Sequence, residues 1–273
     1  MSDSPDRYAV IGHPIEHSRS PEIHALFAKQ CDQAMVYTRL AAPPDDFKTV
    51  AGQFFADGGA GLNVTLPFKQ AAATFADRLT DRAERAGAVN TLMATDEGLI
   101  GDNTDGAGLI ADLTMHQNVD LADRHILILG AGGAVRGVIP NLLAAGAARI
   151  TIANRSRDKA EAIANACHSM GPVAVCDLHR PPHDAEIIVN AISAGLTGDM
   201  PELDAALLKR AEAAYDMIYA DRATPFMRWA SAHGVTNVRD GFGMLVEQAA
   251  ASFELWRGIR PDTHAVIAAL RGA

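Results

Sequence analysis

A chain of 273 residues, 48% hydrophobic and 21% charged, is long enough to bury one large core or two ordinary ones. A formal net charge of −9 with no basic run, and only 5% aromatic residues, make nucleic acid and anionic membranes poor partners and leave small molecules. An anionic substrate stays possible, because one or two local cations can hold it. Cys31, Cys167 and Cys176 lack CxxC spacing and read as reduced, buried thiols. With a polar start and no apolar run of signal or membrane-span length, the expected location is the cytoplasm.

Apolar strand-like runs alternate with helical patterns, which predicts an α/β fold with mostly parallel sheet. Tyr8-Ala9-Val10-Ile11-Gly12 is the first expected strand, and a helix follows over 21–30 with Ile23, Leu26, Phe27 and Gln30 on one stripe. Ser20 ahead of Pro21 fits an N-cap with proline at the first helical position. That accounts for Ser20 but not for Ser18, and two hydroxyls beside a helix start equally suit a carboxylate. A second strand over 61–66 places Leu62, Val64 and Leu66 on one face, and Asn63 and Thr65 on the other. An amide and a hydroxyl sharing a face need partners, either neighbouring loops or a polyhydroxyl ligand. Lys69 falls in the first turn of a helix expected over 68–78, where the dipole disfavours a cation. That position suits an acid–base lysine of lowered pKa, the alternative being a solvent-facing lysine.

A hairpin is expected from 89–94 and 99–100 around Asp96-Glu97-Gly98. The polar loop Gly101-Asp102-Asn103-Thr104-Asp105-Gly106 leads into a helix from about 107. Asp105 or Thr104 reads as an N-cap, or Asp105 as a carboxylate facing Lys69. Calcium fits poorly, because the glutamate of the last EF-hand position is missing.

The pattern then restarts. A buried strand over 125–129 runs into Gly130-Ala131-Gly132-Gly133-Ala134 and a helix to about 145. A strand over 149–153, a helix over 159–166 and short strands over 186–191 and 214–218 follow. The restart predicts two α/β domains with a ligand cleft between them: 1–105 completed by C-terminal helices in 243–273, and a doubly wound Rossmann-like unit over 106–242. In the glycine loop, Gly130 permits the turn and Gly132 lets the backbone approach a pyrophosphate, although Val135 stands at the third glycine position. An NAD-reading strand usually ends in an acid roughly 20 residues on. Here it ends in Asn154-Arg155-Ser156-Arg157, with Lys159 close behind. Three cations and no acid at the strand tip suit a 2′-phosphate, which selects NADP over a merely solvated basic loop.

Taken in order, these segments resemble the bacterial shikimate dehydrogenase family. In the first half the likeness is carried by Gly12-His13-Pro14-Ile15, Ser18-Arg19-Ser20-Pro21, Asn63-Val64-Thr65-Leu66-Pro67-Phe68-Lys69, Gly87-Ala88-Val89-Asn90-Thr91 and the 101–106 loop. In the second it is carried by the 130–134 loop, Asn154-Arg155-Ser156, Tyr215-Asp216-Met217-Ile218-Tyr219, Thr224-Pro225-Phe226 and Asp240-Gly241-Phe242-Gly243-Met244-Leu245. The resemblance implies reversible reduction of 3-dehydroshikimate to shikimate by NADPH. Lys69 would be the general acid–base and Asp105 its orienting partner. Ser18 and Ser20 would hold the carboxylate, with Asn63, Thr65, Asn90, Asp105, Tyr219 and Gln248 around the ring. Gly130, Ala131, Gly132, Gly133 and Ala134 would bind the pyrophosphate. Asn154, Arg155, Ser156 and Lys159 would bind the 2′-phosphate, and Met217, Gly241 and Met244 would line the nicotinamide side. Asp81 aligns with an acid sometimes associated with the cofactor.

Lys159 stands where the family often has arginine, which implies a weaker phosphate grip. Ile192 and Ala194 replace hydroxyl residues, and Phe242 replaces a frequent leucine. A quinate/shikimate paralogue is the nearest rival, because quinate differs by one ring hydroxyl. An idle NADP-binding sensor is argued against by the presence of both Lys69 and Asp105. No metal is expected from the ten histidines: Pro14 separates His13 from His17, and His179 and His183 flank two prolines. The family resemblance leaves monomer or homodimer open.

Overall fold

The computed structural model describes residues 4–192 and 200–271. The chain divides into two compact units, Met1–Gly108 with Leu245–Ala273, and Leu109–Met244. Each is built on a six-stranded sheet.

The first unit contains β1 (Asp6–Gly12), α1 (Ser20–Gln30), β2 (Met35–Ala41), α2 (Phe47–Ala56), β3 (Gly59–Val64) and α3 (Lys69–Phe75). It continues through β4 (Arg78–Leu79), α4 (Asp81–Ala86), β5 (Thr91–Thr95), β6 (Gly98–Asp102) and the start of α5 (Asp105–Ala111). Its sheet order is β2-β1-β3-β5-β6-β4. The β1, β2 and β3 strands run parallel, while β5 pairs antiparallel with β3 and β6, so this sheet is mixed. Ala9 and Ile11 of β1 pack with Leu62 and Val64 of β3 against Phe47, Phe54 and Phe68.

Four expectations change here. The strand ends at Val64, because residues 65–68 form a turn closed by the Phe68 amide on the Thr65 carbonyl at 2.9 Å. Leu66 therefore leaves the core face and is 55% exposed. The helix expected over 68–78 stops at Phe75, and the chain turns into β4 and α4. Ser20 is not an N-cap: helix α1 already includes it, and Arg19 caps without a side-chain bond. Asp105 likewise opens α5 from inside the helix, while the Asn103 side chain accepts from its amide at 3.1 Å.

The second unit contains β7 (His125–Leu129), α6 (Gly133–Ala144), β8 (Arg149–Asn154), α7 (Arg157–Ala166), β9 (Val173–Asp177), β10 (Ile187–Asn190), β11 (Ala213–Asp216), α8 (Pro225–Ala232) and β12 (Asn237–Asp240). Its sheet is parallel throughout, ordered β12-β11-β10-β7-β8-β9. Every residue of β7 is buried because both faces are covered. Ile126 and Ile128 join the core of Leu142, Ile150 and Ile163. Leu127 and Leu129 join the opposite one with Leu207, Phe226 and Val238. The polypeptide then forms α9 (Phe242–Arg257) and α10 (Thr263–Arg271).

All three cysteines are free, and only Cys167 is fully buried, which corrects the expectation for Cys31 and Cys176. No described helix is long and apolar enough to cross a membrane. Among the described residues, no group of three or more His, Cys, Asp or Glu side chains is placed to hold a metal ion.

Candidate active site

Lys69 opens α3 and Asp105 opens α5, and their side chains meet: Nζ lies 2.5 Å from Oδ2. Both are largely withdrawn from solvent, with side-chain exposures of 15% and 6%. The second carboxylate oxygen of Asp105 accepts from Asn90 Nδ2 at 2.8 Å. A carboxylate held on both oxygens fixes the direction of the ammonium group it binds.

Asn90 organises this corner. Its Nδ2 also reaches Thr104 Oγ1 at 2.8 Å and Gln248 Oε1 at 3.2 Å. Its Oδ1 accepts from the Thr104 amide and from Thr91 Oγ1, each at 2.9 Å. Behind it, Asn63 Nδ2 donates to the Asn90 carbonyl, Thr91 Oγ1 and Ser252 Oγ at 3.2, 3.2 and 2.9 Å. Ser252 Oγ in turn donates to the Gln248 carbonyl at 3.0 Å. Buried amides and hydroxyls with this many partners form a rigid network, because leaving one unpaired costs about 1–3 kcal/mol.

The 101–106 loop is held from its other end. Asp102, buried, takes Arg82 on both oxygens at 3.1 and 2.5 Å and Thr80 Oγ1 at 2.7 Å. Asp81, one residue before Arg82, is exposed and lies 3.6 Å from Arg85.

Ser18 and Ser20 do lie together, Oγ to Oγ at 3.2 Å. The Ser18 carbonyl is gripped by Arg39 of β2 through two N–H groups at 2.9 and 2.5 Å. Thr65 follows β3 and bonds back to the Ile11 carbonyl at 3.0 Å. Its methyl stands 2.5 Å from where a Cβ on Gly12 would be, so a side chain there would have to displace Thr65 and Ile15. Two residues missed by motif reading contribute: Arg39, and Tyr37, whose hydroxyl donates to Asn63 Oδ1 at 2.7 Å. Their two-residue spacing on one strand face was the available signal.

In the second unit, the expected cofactor residues lie around the ends of β7, β8, β11 and β12 and at the start of α9. Gly130 has φ +108°, and a Cβ there would press on the Ala191 carbonyl at 3.0 Å. A Cβ on Gly132 or Gly133 would meet nothing within 4 Å. The backbone is thus open on the side where α6 begins with no side-chain cap. Val135, at the third glycine position, is fully buried in the core and leaves that opening clear.

Asn154 ends β8 and turns its amide onto the Ser156 carbonyl at 2.8 Å. Arg157 is tied to Glu161 at 2.7 Å. Arg155 and Lys159 are exposed and have no partner among the described residues. An open glycine backbone beside two uncommitted cations fits a dinucleotide bearing a 2′-phosphate.

Met217 donates its amide to the Asn190 carbonyl at 2.8 Å. A Cβ on Gly241 would stand 2.4 Å from the Met217 carbonyl oxygen. Met244 packs into the core. Tyr219 meets Phe242 edge-on at 6.2 Å, which makes the Phe242 departure a packing change beside a candidate site residue. Below them Asp216 is bound by Asn190, Thr224 and the Ile218 amide. Burial raises its pKa, and those bonds pull it back. Ile192 rests against the second core; Ala194 lies outside the described residues.

Family models match almost end to end. The shikimate dehydrogenase substrate binding domain covers residues 10–92, shikimate/quinate 5-dehydrogenase 112–225, and the shikimate 5′-dehydrogenase C-terminal domain 241–271. A curated shikimate dehydrogenase (NADP(+)) of Alkalilimnicola ehrlichii is 51% identical, over 97% of this chain and 98% of its own. The chain belongs to the shikimate dehydrogenase family. Among solved structures, an Ael1 enzyme from Pseudomonas putida shares 43% identity with a TM-score of 0.89, covering 97% of this chain and 98% of its own. A shikimate dehydrogenase in complex with NADP+ shares 32% identity with a TM-score of 0.85, covering 95% and 92%. Within this shikimate dehydrogenase fold, the Lys69–Asp105 pair and the Gly132 backbone belong to different units.

Proposed function

We propose that this shikimate dehydrogenase reversibly reduces 3-dehydroshikimate to shikimate with NADPH, in the pathway that serves aromatic amino-acid biosynthesis. The observation that carries the reading is the contact between Lys69 and Asp105. Reducing a ring carbonyl requires a proton at oxygen as hydride arrives at carbon. NADPH supplies the hydride when bound. Lys69 Nζ gives its proton to the carbonyl oxygen and recovers it in the reverse direction, while Asp105, held by Asn90, keeps the ammonium aimed. Ser18 and Ser20 take the carboxylate. Asn63, Thr65, Asn90, Asp105, Tyr219 and Gln248 surround the ring hydroxyls, directly or by holding those that touch them.

For the cofactor, Gly130, Ala131, Gly132, Gly133 and Ala134 cradle the pyrophosphate. Asn154, Arg155, Ser156 and Lys159 hold the 2′-phosphate, and Met217, Gly241 and Met244 face the nicotinamide. Asp81 is retained as a solvent-side cofactor contact. The enzyme works in the cytoplasm as a monomer or homodimer. Steady-state rates with shikimate or quinate, each with NADP or NAD, test the assignment. Shikimate with NADP should be fastest, and a preference for quinate with NAD would overturn it.

A further inference from the structure

His24 is the anomaly of the first unit. Its side chain is fully buried, and neither ring nitrogen has a hydrogen-bond partner. A buried polar group without a partner is rare enough to need a reason. A neutral imidazole carries one N–H donor and one acceptor, so both are unanswered here. Burial holds the pKa at about 3, so the ring is neutral at working pH.

Its surroundings give the reason. The ring stacks on Tyr37, with centroids 4.1 Å apart and planes within 8°, and Phe27, Phe253 and Trp256 close the box. The Asn63 side chain also acts on the His24 ring, raising its pKa against the larger effect of burial, although neither ring nitrogen makes a hydrogen bond. Ser20 and His24 are four residues apart on α1 and share a face. The Tyr37 hydroxyl has a single proton, given to Asn63 Oδ1, and the Ser20 hydroxyl beside it acts as a donor toward the phenol oxygen, lowering its pKa against the effect of burial. The Asn63 amide cannot turn over, because Nδ2 is pinned by Asn90, Thr91 and Ser252. Its Oδ1 therefore stays on the Tyr37 and His24 side, with two lone pairs and one donor.

We propose that His24 is a positioning residue for substrate recognition. Its ring N–H is the reserve donor to Asn63 Oδ1, which allows the Tyr37 hydroxyl to turn toward Ser20 and the anionic group bound there. Without His24 that turn would strip Asn63 Oδ1 of its partner in a buried setting. The exchange conserves hydrogen bonds: Asn63 trades a phenol donor for an imidazole donor, and Tyr37 trades an amide acceptor for a charged one. This inference rests on the reading of Ser18 and Ser20 as the carboxylate site.

Two substitutions separate a donor role from packing. His24→Phe keeps the aromatic stack and removes the donor. It should raise KM for shikimate roughly tenfold, the worth of one hydrogen bond, with kcat and the KM for NADP unchanged. His24→Gln restores a donor and should recover most of the loss. If His24→Phe matches the wild type, or His24→Gln is the worse variant, His24 is only packing and the proposal falls. In the wild-type protein, saturating shikimate should move the His24 ring N–H resonance downfield; an unmoved resonance overturns the exchange. Wild-type oxidation of shikimate by NADP is the control. Its absence would defeat the functional reading, whereas full activity with an indifferent His24→Phe defeats this inference alone.

Discussion

On the function proposed above, the two units solve recognition by opposite means. Around Lys69 the first unit uses side chains: Asp105, Asn90, Thr104 and Gln248 are joined by direct bonds of 2.5 to 3.2 Å. Around Gly132 the second unit uses bare backbone, where an added Cβ would find open space. A small ring bearing several hydroxyls and one carboxylate must be read group by group, which requires a pre-set network. A pyrophosphate is read by its charge and bulk, which helix N–H groups and an absent side chain serve well. The first strategy is brittle to the loss of one atom, the second to the gain of one.

That contrast can be broken experimentally. The largest effect is expected from Lys69→Ala, which should lower kcat by roughly 10²–10⁴-fold while shikimate still binds. Unchanged turnover would remove Lys69 from the chemistry and leave the network without a centre. Next comes the interior of the first unit. The folded pKa of His24, about 3, lies below the free value of 6.5, so the unfolded chain takes up a proton that the native state refuses. Its stabilising contribution is complete above pH 6.5 and is lost as pH falls toward 3. Between pH 7 and 5 that amounts to about 2 kcal/mol. Denaturant titrations of the wild type and His24→Phe should differ by this much in their pH dependence, and parallel curves would show that His24 titrates normally.

The remaining tests concern the second unit. Arg155→Asp should weaken NADP relative to NAD by roughly tenfold, the scale of one charge-assisted bond. An unchanged ratio of the two affinities would mean that the cation does not meet the 2′-phosphate. The smallest effect is expected from Gly132→Ala. The added methyl touches nothing in the protein, so the unfolding midpoint should hold while NADP affinity falls severalfold, about 1 kcal/mol. A lowered midpoint with intact affinity would show that the glycine serves the fold and not the ligand.

How much of this was legible in the sequence follows the same division. Central strands announced themselves: β7 is apolar at four of its five positions because both faces are covered. The strands that escaped, β2, β4, β9 and β12, are the four sheet edges. An edge strand such as Met35–Ala41 is half-exposed and carries Tyr37 and Arg39 among its apolar residues, so its periodicity is diluted. That is also why those two residues were not anticipated beside the serines. Lys69 and Asp105 were legible as candidates, but a separation of 36 positions hides their meeting, which depends on how β3, β5 and β6 pair. Ser20 misled because the Ser-Pro pattern of an N-cap is local, whereas the helix started one residue earlier. The glycine loop stood out in the sequence because its residues are consecutive, and Gly130 does take the positive φ that a tight turn requires.

The order of the chain sets one more condition on this enzyme. Gln248, Ser252 and Trp256 belong to the first unit, yet they follow the whole of the second. During synthesis the Rossmann-like sheet is finished at β12 while the Asn90 network still lacks Gln248 and Ser252, and the Leu92 carbonyl still lacks the Trp256 indole. Domains tend to fold as units as they emerge from the ribosome; here the one begun first is completed last. Half-made chains therefore hold a finished Rossmann-like sheet and an unfinished Asn90 network, and translation must reach α9 before any molecule can turn over its substrate.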